Sequence, residues 1–596
     1  MVLCTATFLI LLASPIFAAS SSINSNILPA CPSTEDSIYD YIVVGAGAGG
    51  GPVAARLAEN GFSVLLVETG EDESGNVNTT SLFSAFSAMD DPKIDLDYRI
   101  KEYPANFPVQ RNDQWYPRSA GIGGCTLHNA GENSIAGMRQ QFDTISHTFN
   151  DPSWSRDNMQ KYWALIENNL YLDPTALNLD HGFNGWLNSS RASAVNFSST
   201  DPKWSALGSS IIAASGTSLI EDQNSHLPLP ESGHVLELLT GDDSHLRASI
   251  RDKLTPLAAS SKNLTIMTNT LATKILLCND KKGKGRGGNV SAYGLAVALG
   301  AKLPVAQGFN GKQKLNEKNI IARREVIVAG GAFQTPQLLM LSGIGDKAQL
   351  SKFGIPSIVN LPGVGANLQD NDELPAFWEF TSNFTDPESF GSAITTSAYS
   401  NSLEPDLWTY FVPAEFNGFH HGMSIIAANT QNVFTLINLR AGSTSQGYVR
   451  LTGSHPQDLL DINKLRFQGP NGRNDIVVLR EAIKRWRKVI NEDEEIAKYV
   501  EREVAPGANV TSDADLEEYI LNNVFAHHAC CTAAIGADGD PRAVLDGDFN
   551  VRGVSNLRVV DASSFPVSPG YFPQSPIYMI SEKAAAVILK DAKARS

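Results

Sequence analysis

The stretch Tyr39–Gly70, YDYIVVGAGAGGGPVAARLAENGFSVLLVETG, constrains this chain more than any other. The short apolar run Tyr39 to Val44 suits a strand buried on both faces, and it ends in Gly45, Gly47 and Gly50 at GxGxxG spacing. The first glycine permits a tight turn, the second lets a pyrophosphate approach the backbone, and the third lets a helix pack close to the strand. That helix aims its N-terminal amides and dipole at the phosphates. Phe62 to Val67 reads as the next strand and closes on Glu68, eighteen residues after Gly50, where a carboxylate can accept hydrogen bonds from an adenosine ribose. An acid there repels a 2′-phosphate, so FAD or NAD is favoured over NADP.

A formal charge of −16 over 596 residues argues against nucleic-acid and anionic-membrane partners. The basic run KKGKGRGG, Lys281 to Gly288, reads as an exposed hairpin tip. Phe8 to Ala19 is apolar, too short to span a bilayer, and closes on Ala18 and Ala19 ahead of a serine-rich stretch, the profile of a cleaved secretory signal over residues 1–19. No later segment has the length and apolarity of a membrane span, so a secreted, released protein is expected. Asn-x-Ser/Thr sites start at Asn78, Asn188, Asn196, Asn263, Asn289, Asn383 and Asn509, compatible with secretion without establishing it. Beyond Cys4, the cysteines are Cys31, Cys125, Cys278, Cys530 and Cys531, and so small and odd a set implies that disulfides do not carry the fold. No His/Cys cluster has zinc spacing, and no metal is expected.

Strand-helix signals recur at two further places. REVIVAGG, from Arg324, reads as a strand, and TPQLLMLSGIG as a helix with Pro336 in its first turn. Leu557 to Asp561 reads as a strand running into a loop, followed by a helix over Ile577 to Leu589. The simplest explanation is one cofactor domain built from residues 36–150, 242–370 and 523–596, with 151–241 and 371–522 forming a second domain over the flavin edge and substrate site. The aromatic cluster Trp408, Tyr410, Phe411, Phe416 and Phe419 is read as sheet core in preference to a pocket lining.

GAFQTPQLLMLSGIG, Gly331 to Gly345, and RSAGIGGCTLHNAG, Arg118 to Gly131, resemble the two signatures of the glucose-methanol-choline (GMC) oxidoreductases, flavoproteins that oxidise alcohols. The resemblance spans nearly the whole chain and implies an α/β fold: a Rossmann-like FAD-binding domain assembled from discontinuous segments, plus an α+β substrate domain with an antiparallel sheet. It implies FAD as cofactor, with Gly45, Ala46, Gly47, Gly50 and Glu68 holding the ADP half. Cys125, standing where serine is common, lies in the Gly123 to Asn129 segment against the flavin, with Asn129 and Ala130 giving close contacts. Ala272 would touch the cofactor through its backbone, Asp561 and Ala562 would lie near the ribityl chain, and Pro573 and Gln574 would reach the pyrimidine end. His128 stands where choline-oxidising relatives carry a covalent bond to flavin; the alternative is a packed, hydrogen-bonded imidazole.

Oxidising an alcohol on a flavin requires removal of the hydroxyl proton while hydride leaves the carbon, and a neutral imidazole suits the first task. FAHHACCTAAIG, Phe525 to Gly536, resembles the family's HxxGTAAMG segment; aligned on Thr532, the base is His528, with His527 a structural neighbour and Cys531 in place of glycine. The family's second His or Asn, which hydrogen-bonds the substrate oxygen, falls on Phe572, which can do neither job. Losing such a donor costs a few kcal/mol of transition-state stabilisation. Either Tyr571 or Gln574 replaces it, Tyr571 by a one-residue slip of register, or the alcohol is an activated one. The expected function is a secreted FAD-dependent oxidation of a primary or activated (aromatic, allylic or natural-product) alcohol, with oxygen or quinone as electron acceptor, in the style of fungal secondary-metabolite enzymes. The alternative is an FAD-containing non-redox cyclase or lyase of the same family.

Overall fold

The computed structural model describes residues 23–35, 37–175, 180–191, 200–216, 219–280, 289–385, 391–400 and 404–595. The signal segment, the Lys281–Gly288 run and the Asn196 site lie outside the described residues. Strands β1 (Tyr39–Val44) and β2 (Val64–Val67) lie side by side in parallel, with Val44 opposite Val67. Their central residues Ile42, Val43, Val64, Leu65 and Leu66 have no solvent contact, as an apolar run covered on both faces requires. Helix α1 (Gly50–Glu59) makes the crossover between them. β3 (Leu264–Met267) extends the outer edge of β2. β4 (Thr270–Asn279) and β5 (Val290–Leu299) form an antiparallel pair leading into β6 (Glu317–Val328). The first half of β6 continues that meander, and its second half lies parallel to β1 on one side and to β7 (Leu557–Val559) on the other. Pieces more than two hundred residues apart thus share one sheet, in the order β3-β2-β1-β6-β5-β4 with β7 also on β6.

The register of this sheet sets the position of the site. Val44 is level with Val67 and Val328, Met267 with Val67, and Val559 with Val328, so the parallel strands end along one line. Ligands of open parallel sheets bind beyond such carboxyl ends.

Helix α2 (Gly331–Leu341) begins four residues before the expected Thr335, which puts Pro336 in its second turn. The cause is Asp561, whose Oδ2 accepts the Gly331 amide at 2.8 Å and the Thr335 hydroxyl at 2.5 Å, capping the helix where β6 ends. Pro336 has no N–H to give the Ala332 carbonyl one turn back. The Thr532 hydroxyl donates to that oxygen at 2.7 Å, fastening α2 to the segment that carries His527 and His528. Helix α3 (Gln574–Ala594) also starts ahead of expectation, so Gln574 belongs to its first turn. Arg56 of α1 pairs with Glu582 of α3 at 2.8 Å.

A second, largely antiparallel sheet contains Asp372–Phe380, Val433–Arg440, Leu407–Val412 and Gly391–Thr395 at its centre. Along Leu407–Val412, Trp408 and Tyr410 pack beside Tyr571 and Phe572, while Phe411 faces the helix Gly472–Glu492 through Trp486, 4.9 Å away and edge-on. Among the described residues no helix is long and apolar enough to cross a membrane. Cys31 bonds to Cys278 across 247 residues of chain, tying the N-terminal segment to β4, Cys530 bonds to Cys531, and Cys125 is free.

Thr532→Val leaves the Ala332 carbonyl buried without that partner, a loss of about 1–3 kcal/mol. The thermal midpoint of unfolding should fall for Thr532→Val and stay near the parent value for Thr532→Ser, which keeps the hydroxyl.

Candidate active site

A deep cavity opens at the aligned strand ends, walled by Val44, Val67 and Val328 at its floor. The glycine-rich turn behaves as three separate devices. Gly45 has φ +100°, and a Cβ there would stand 2.3 Å from the Ala329 carbonyl oxygen. A Cβ on Gly50 would stand 2.1 Å from the Gly45 oxygen, so this position fixes the close approach of α1 to its strand. Gly47 differs: a Cβ would meet protein no closer than 3.7 Å, and the residue borders the cavity. The protein leaves that space for a ligand.

Glu68 borders the cavity too, but its carboxylate already accepts the amides of Ala46 (2.9 Å), Gly70 (2.9 Å) and Gly121 (3.0 Å). Burial lifts its pKa above the usual range and the amide bonds offset this only in part. About four lone-pair sites on a carboxylate leave one for a ribose hydroxyl. Ala46 therefore acts through its amide on Glu68. Asp561 and Ala562 border the cavity, yet both Asp561 oxygens are taken, Oδ1 by the amide and hydroxyl of Ser563 and Oδ2 by Gly331 and Thr335. The Asp561 side chain is thus a fastening within the protein, at a position that still borders the cavity.

Cys125, His128, Asn129, Ala130, Ala272, Pro573 and Gln574 all line the same cavity. Asn129 donates to Gln574 Oε1 and accepts from Arg247, so the Gln574 amide is oriented with Nε2 buried and without a partner. Gln334 Nε2, also on the cavity wall, is likewise unpartnered. Two orphaned donors on the wall of the cavity that Gly47 also borders fit a nucleotide with a carbonyl-bearing ring, as FAD is. His128 is buried, makes no side-chain hydrogen bond among the described residues, and is held neutral by burial and by Arg118 and Arg247, with its pKa pushed down to about 3.

His528 lines the same cavity and sits in a backbone clamp. Its amide donates to Asp370 Oδ1 at 2.8 Å, and the next amide, of Ala529, donates at 2.7 Å to the Tyr116 hydroxyl, which bonds Asp370 Oδ2 at 2.5 Å. Lys464 pairs with that oxygen at 3.0 Å. Burial pushes the Asp370 pKa up, but Lys464, Tyr116 and His528 more than reverse this, so the carboxylate stays ionised. For His528, burial with Arg118 and Lys464 outweighs Asp370 and lowers the pKa to about 4, leaving a neutral imidazole. Asn371 Nδ2 lies 3.3 Å from His528 Nδ1, but its stronger bonds run to the carbonyls of Tyr571 (2.8 Å) and Gly570 (3.0 Å).

Those bonds fix the turn that carries Phe572. Tyr571 does not reach the site: it is fully buried, and its hydroxyl donates to the Pro405 carbonyl. The slipped register is therefore corrected, and Phe572 lines the cavity with its ring edge-on to His528, centroids 6.1 Å apart. Trp408, Tyr410 and Phe416 pack behind it as core, as expected. His527 is more than a structural neighbour, because its ring also forms cavity wall. Glu132, another wall residue, carries a pKa raised by burial to about 7. Glu132, Asp370, Asn371 and Glu373 escaped the sequence reading. The available signal was the polar run Gln369–Glu373 entering an apolar strand.

Gly47→Val and Gly45→Val should part ways. The first should give folded protein with a near-parent unfolding midpoint that no longer takes up FAD, and the second should fail to fold, as read by flavin absorbance and thermal unfolding.

A GMC oxidoreductase family model for the N-terminal part matches residues 39–373, and one for the C-terminal part matches residues 443–581. The chain is 29% identical to the oxidoreductase cicC of Emericella nidulans, over 94% of this chain and 95% of that one. It is 28% identical to choline oxidase of Arthrobacter globiformis, over 93% and 94%. It is 27% identical to pyranose dehydrogenase of Agaricus campestris, over 93% and 94%. Its fold is that of pyridoxine 4-oxidase from Mesorbium loti (TM-score 0.75, 24% identity, 92% of this chain and 98% of that one). A formate oxidase of Aspergillus oryzae superposes with TM-score 0.79 at 23% identity, over 94% and 100%. With its cavity shaped for a dinucleotide and a neutral histidine at the ring end, the chain belongs to the GMC oxidoreductase family, FAD-dependent enzymes acting on CH–OH donors.

Proposed function

We propose that this protein is a secreted oxidase or dehydrogenase of primary or activated alcohols, and that His528 is its general base. The observation that carries the reading is a neutral imidazole facing the cavity with the apolar ring of Phe572 beside it. When bound, FAD supplies the hydride acceptor. His528 takes the hydroxyl proton, and the Asp370 clamp on its backbone holds the ring in place without charging it. Phe572 offers an apolar surface at the carbon end of the substrate, which suits a benzylic, allylic or similarly activated alcohol of the natural-product kind. Oxygen or a quinone takes the electrons in the second half-reaction. The non-redox alternative finds no support among relatives named as oxidases and dehydrogenases.

Three kinds of observation support secretion: the apolar segment Phe8–Ala19, the Cys31–Cys278 disulfide, and the exposed glycosylation sites. Asn289, Asn383 and Asn509 are exposed, whereas Asn78 and Asn263 spend their amide nitrogens on Asp91 and on the Ala58 carbonyl.

His528→Ala should lower the rate of flavin bleaching by an aromatic alcohol under anaerobic conditions by about 10²–10⁴-fold with FAD content unchanged. Bleaching at the parent rate overturns the assignment. Protonation disables the base, so kcat/KM should hold from neutral pH downward and fall as pH drops through about 4, where burial has placed the His528 pKa, with no break at the ordinary imidazole value. Peptide mass mapping of secreted material should find glycans at Asn289, Asn383 and Asn509 and none at Asn78 or Asn263; unmodified sites throughout count against passage through a secretory pathway.

A further inference from the structure

Phe572 leaves the substrate oxygen without the second polar group, and the residue that can supply it precedes the base in sequence. His527 shares the cavity wall with His528, the two rings 4.1 Å apart at centroids and inclined at 57°. Its Nδ1 is sealed from solvent and faces Glu373 Oε1 at 3.2 Å. Phe419 meets the same ring edge-on at 4.5 Å, so its plane is held from the far side. With Nδ1 turned to Glu373, the opposite edge of the ring, bearing Nε2, is the part free to face the cavity. Glu373 is itself fixed, since its amide and carbonyl both pair with Phe525, at 2.9 Å each, and its Oε1 has no hydrogen-bond partner among the described residues.

We propose that His527 is a second catalytic residue, whose Nε2–H donates a hydrogen bond to the substrate oxygen while His528 takes the proton, and that Glu373 is its positioning residue, fixing the tautomer by donating a carboxyl proton to Nδ1. This rests on the reading of His528 as base. The protonation states agree. Burial, with Asp370 and Glu132 nearby and only Lys464 opposing, pushes the Glu373 carboxyl well above its usual range, so it keeps its proton at neutral pH. Burial, with the positive charges of Arg118 and Lys464, pushes His527 well below its usual range, so it is neutral. A neutral imidazole that accepts at Nδ1 must carry its hydrogen on Nε2. The opposite tautomer would turn a lone pair on the developing alkoxide.

In the step, the substrate O–H bond breaks and its proton passes to His528. The C–H bond breaks as hydride leaves for the flavin, and the C–O bond becomes a carbonyl. His527 and Glu373 start and finish with their own protons. Their hydrogen bonds tighten as charge grows on the oxygen, the kind of donor whose removal costs about 10²–10³-fold in rate.

Two measurements on the FAD-loaded protein test this. ¹⁵N-histidine NMR should show His527 protonated at Nε2 and bare at Nδ1. The pattern should be lost in Glu373→Leu and kept in Glu373→Gln, whose amide can still donate; protonation at Nδ1 in the parent protein overturns the proposal with no substrate needed. Rapid anaerobic mixing with benzyl alcohol and other members of an aromatic-alcohol panel should show flavin reduction slowed about 10²–10³-fold in His527→Leu. FAD content should not change, and the acid limb of the pH profile should stay where it was. If His527→Leu reduces at the parent rate while His528→Ala does not, the second catalytic role falls and the base assignment stands. If the acid limb disappears in His527→Leu and persists in His528→Ala, the base assignment itself is wrong.

Discussion

The ionised carboxylate of Asp370, buried to 3% exposure, is the constraint on which the reactive end of the molecule depends. A charge in that position is costly unless paired and fully hydrogen-bonded, and here the Lys464 ammonium, the Tyr116 hydroxyl and two backbone amides, those of Asn371 and His528, surround it. These partners come from four separate stretches of chain, so satisfying one charge fixes their mutual positions. The catalytic loop is held through its backbone. That leaves the His528 ring free of any charged hydrogen-bond partner, and burial, helped by Arg118 and Lys464 against the pull of Asp370, keeps it neutral.

The same logic separates scaffold from function throughout the cavity. Asp561 has every acceptor position used by protein groups and Glu68 nearly so, and both sew distant segments together around the nucleotide space. On the wall of that cavity, the groups left short of partners include Gln574 Nε2 and Gln334 Nε2. Buried polar groups without partners are expensive, and a protein keeps them where a ligand or a reaction repays the cost. Both border the same cavity as Gly47, a glycine whose missing side chain the protein itself does not require.

Much of the nucleotide-binding half was legible because its determinants are local. Gly45, Gly47, Gly50 and Glu68 act within one βαβ unit, and three devices that differ physically appear at the spacing from which they were read. His528 was singled out by its distance from Thr532, and it lines the cavity. Helix starts were misjudged where the cap came from far away, as at Gly331, which is capped by a residue 230 positions downstream. Tyr571 and Phe572 show the same limit: adjacent residues in a turn, of which one was bound to enter the site, and the choice rests with Asn371 and Pro405 in another part of the chain.

The sequence by itself determined the cofactor class and the parallel sheet that presents it, because glycine spacing, apolar periodicity and contiguous motifs carry that information within a few tens of residues. Only the tertiary structure decided protonation and direction: which histidine edges face the cavity, that Tyr571 turns away, and that Glu373 stands behind His527. Those outcomes depend on burial and on charges brought together across more than a hundred residues, and neither burial nor long-range proximity is written in any local pattern.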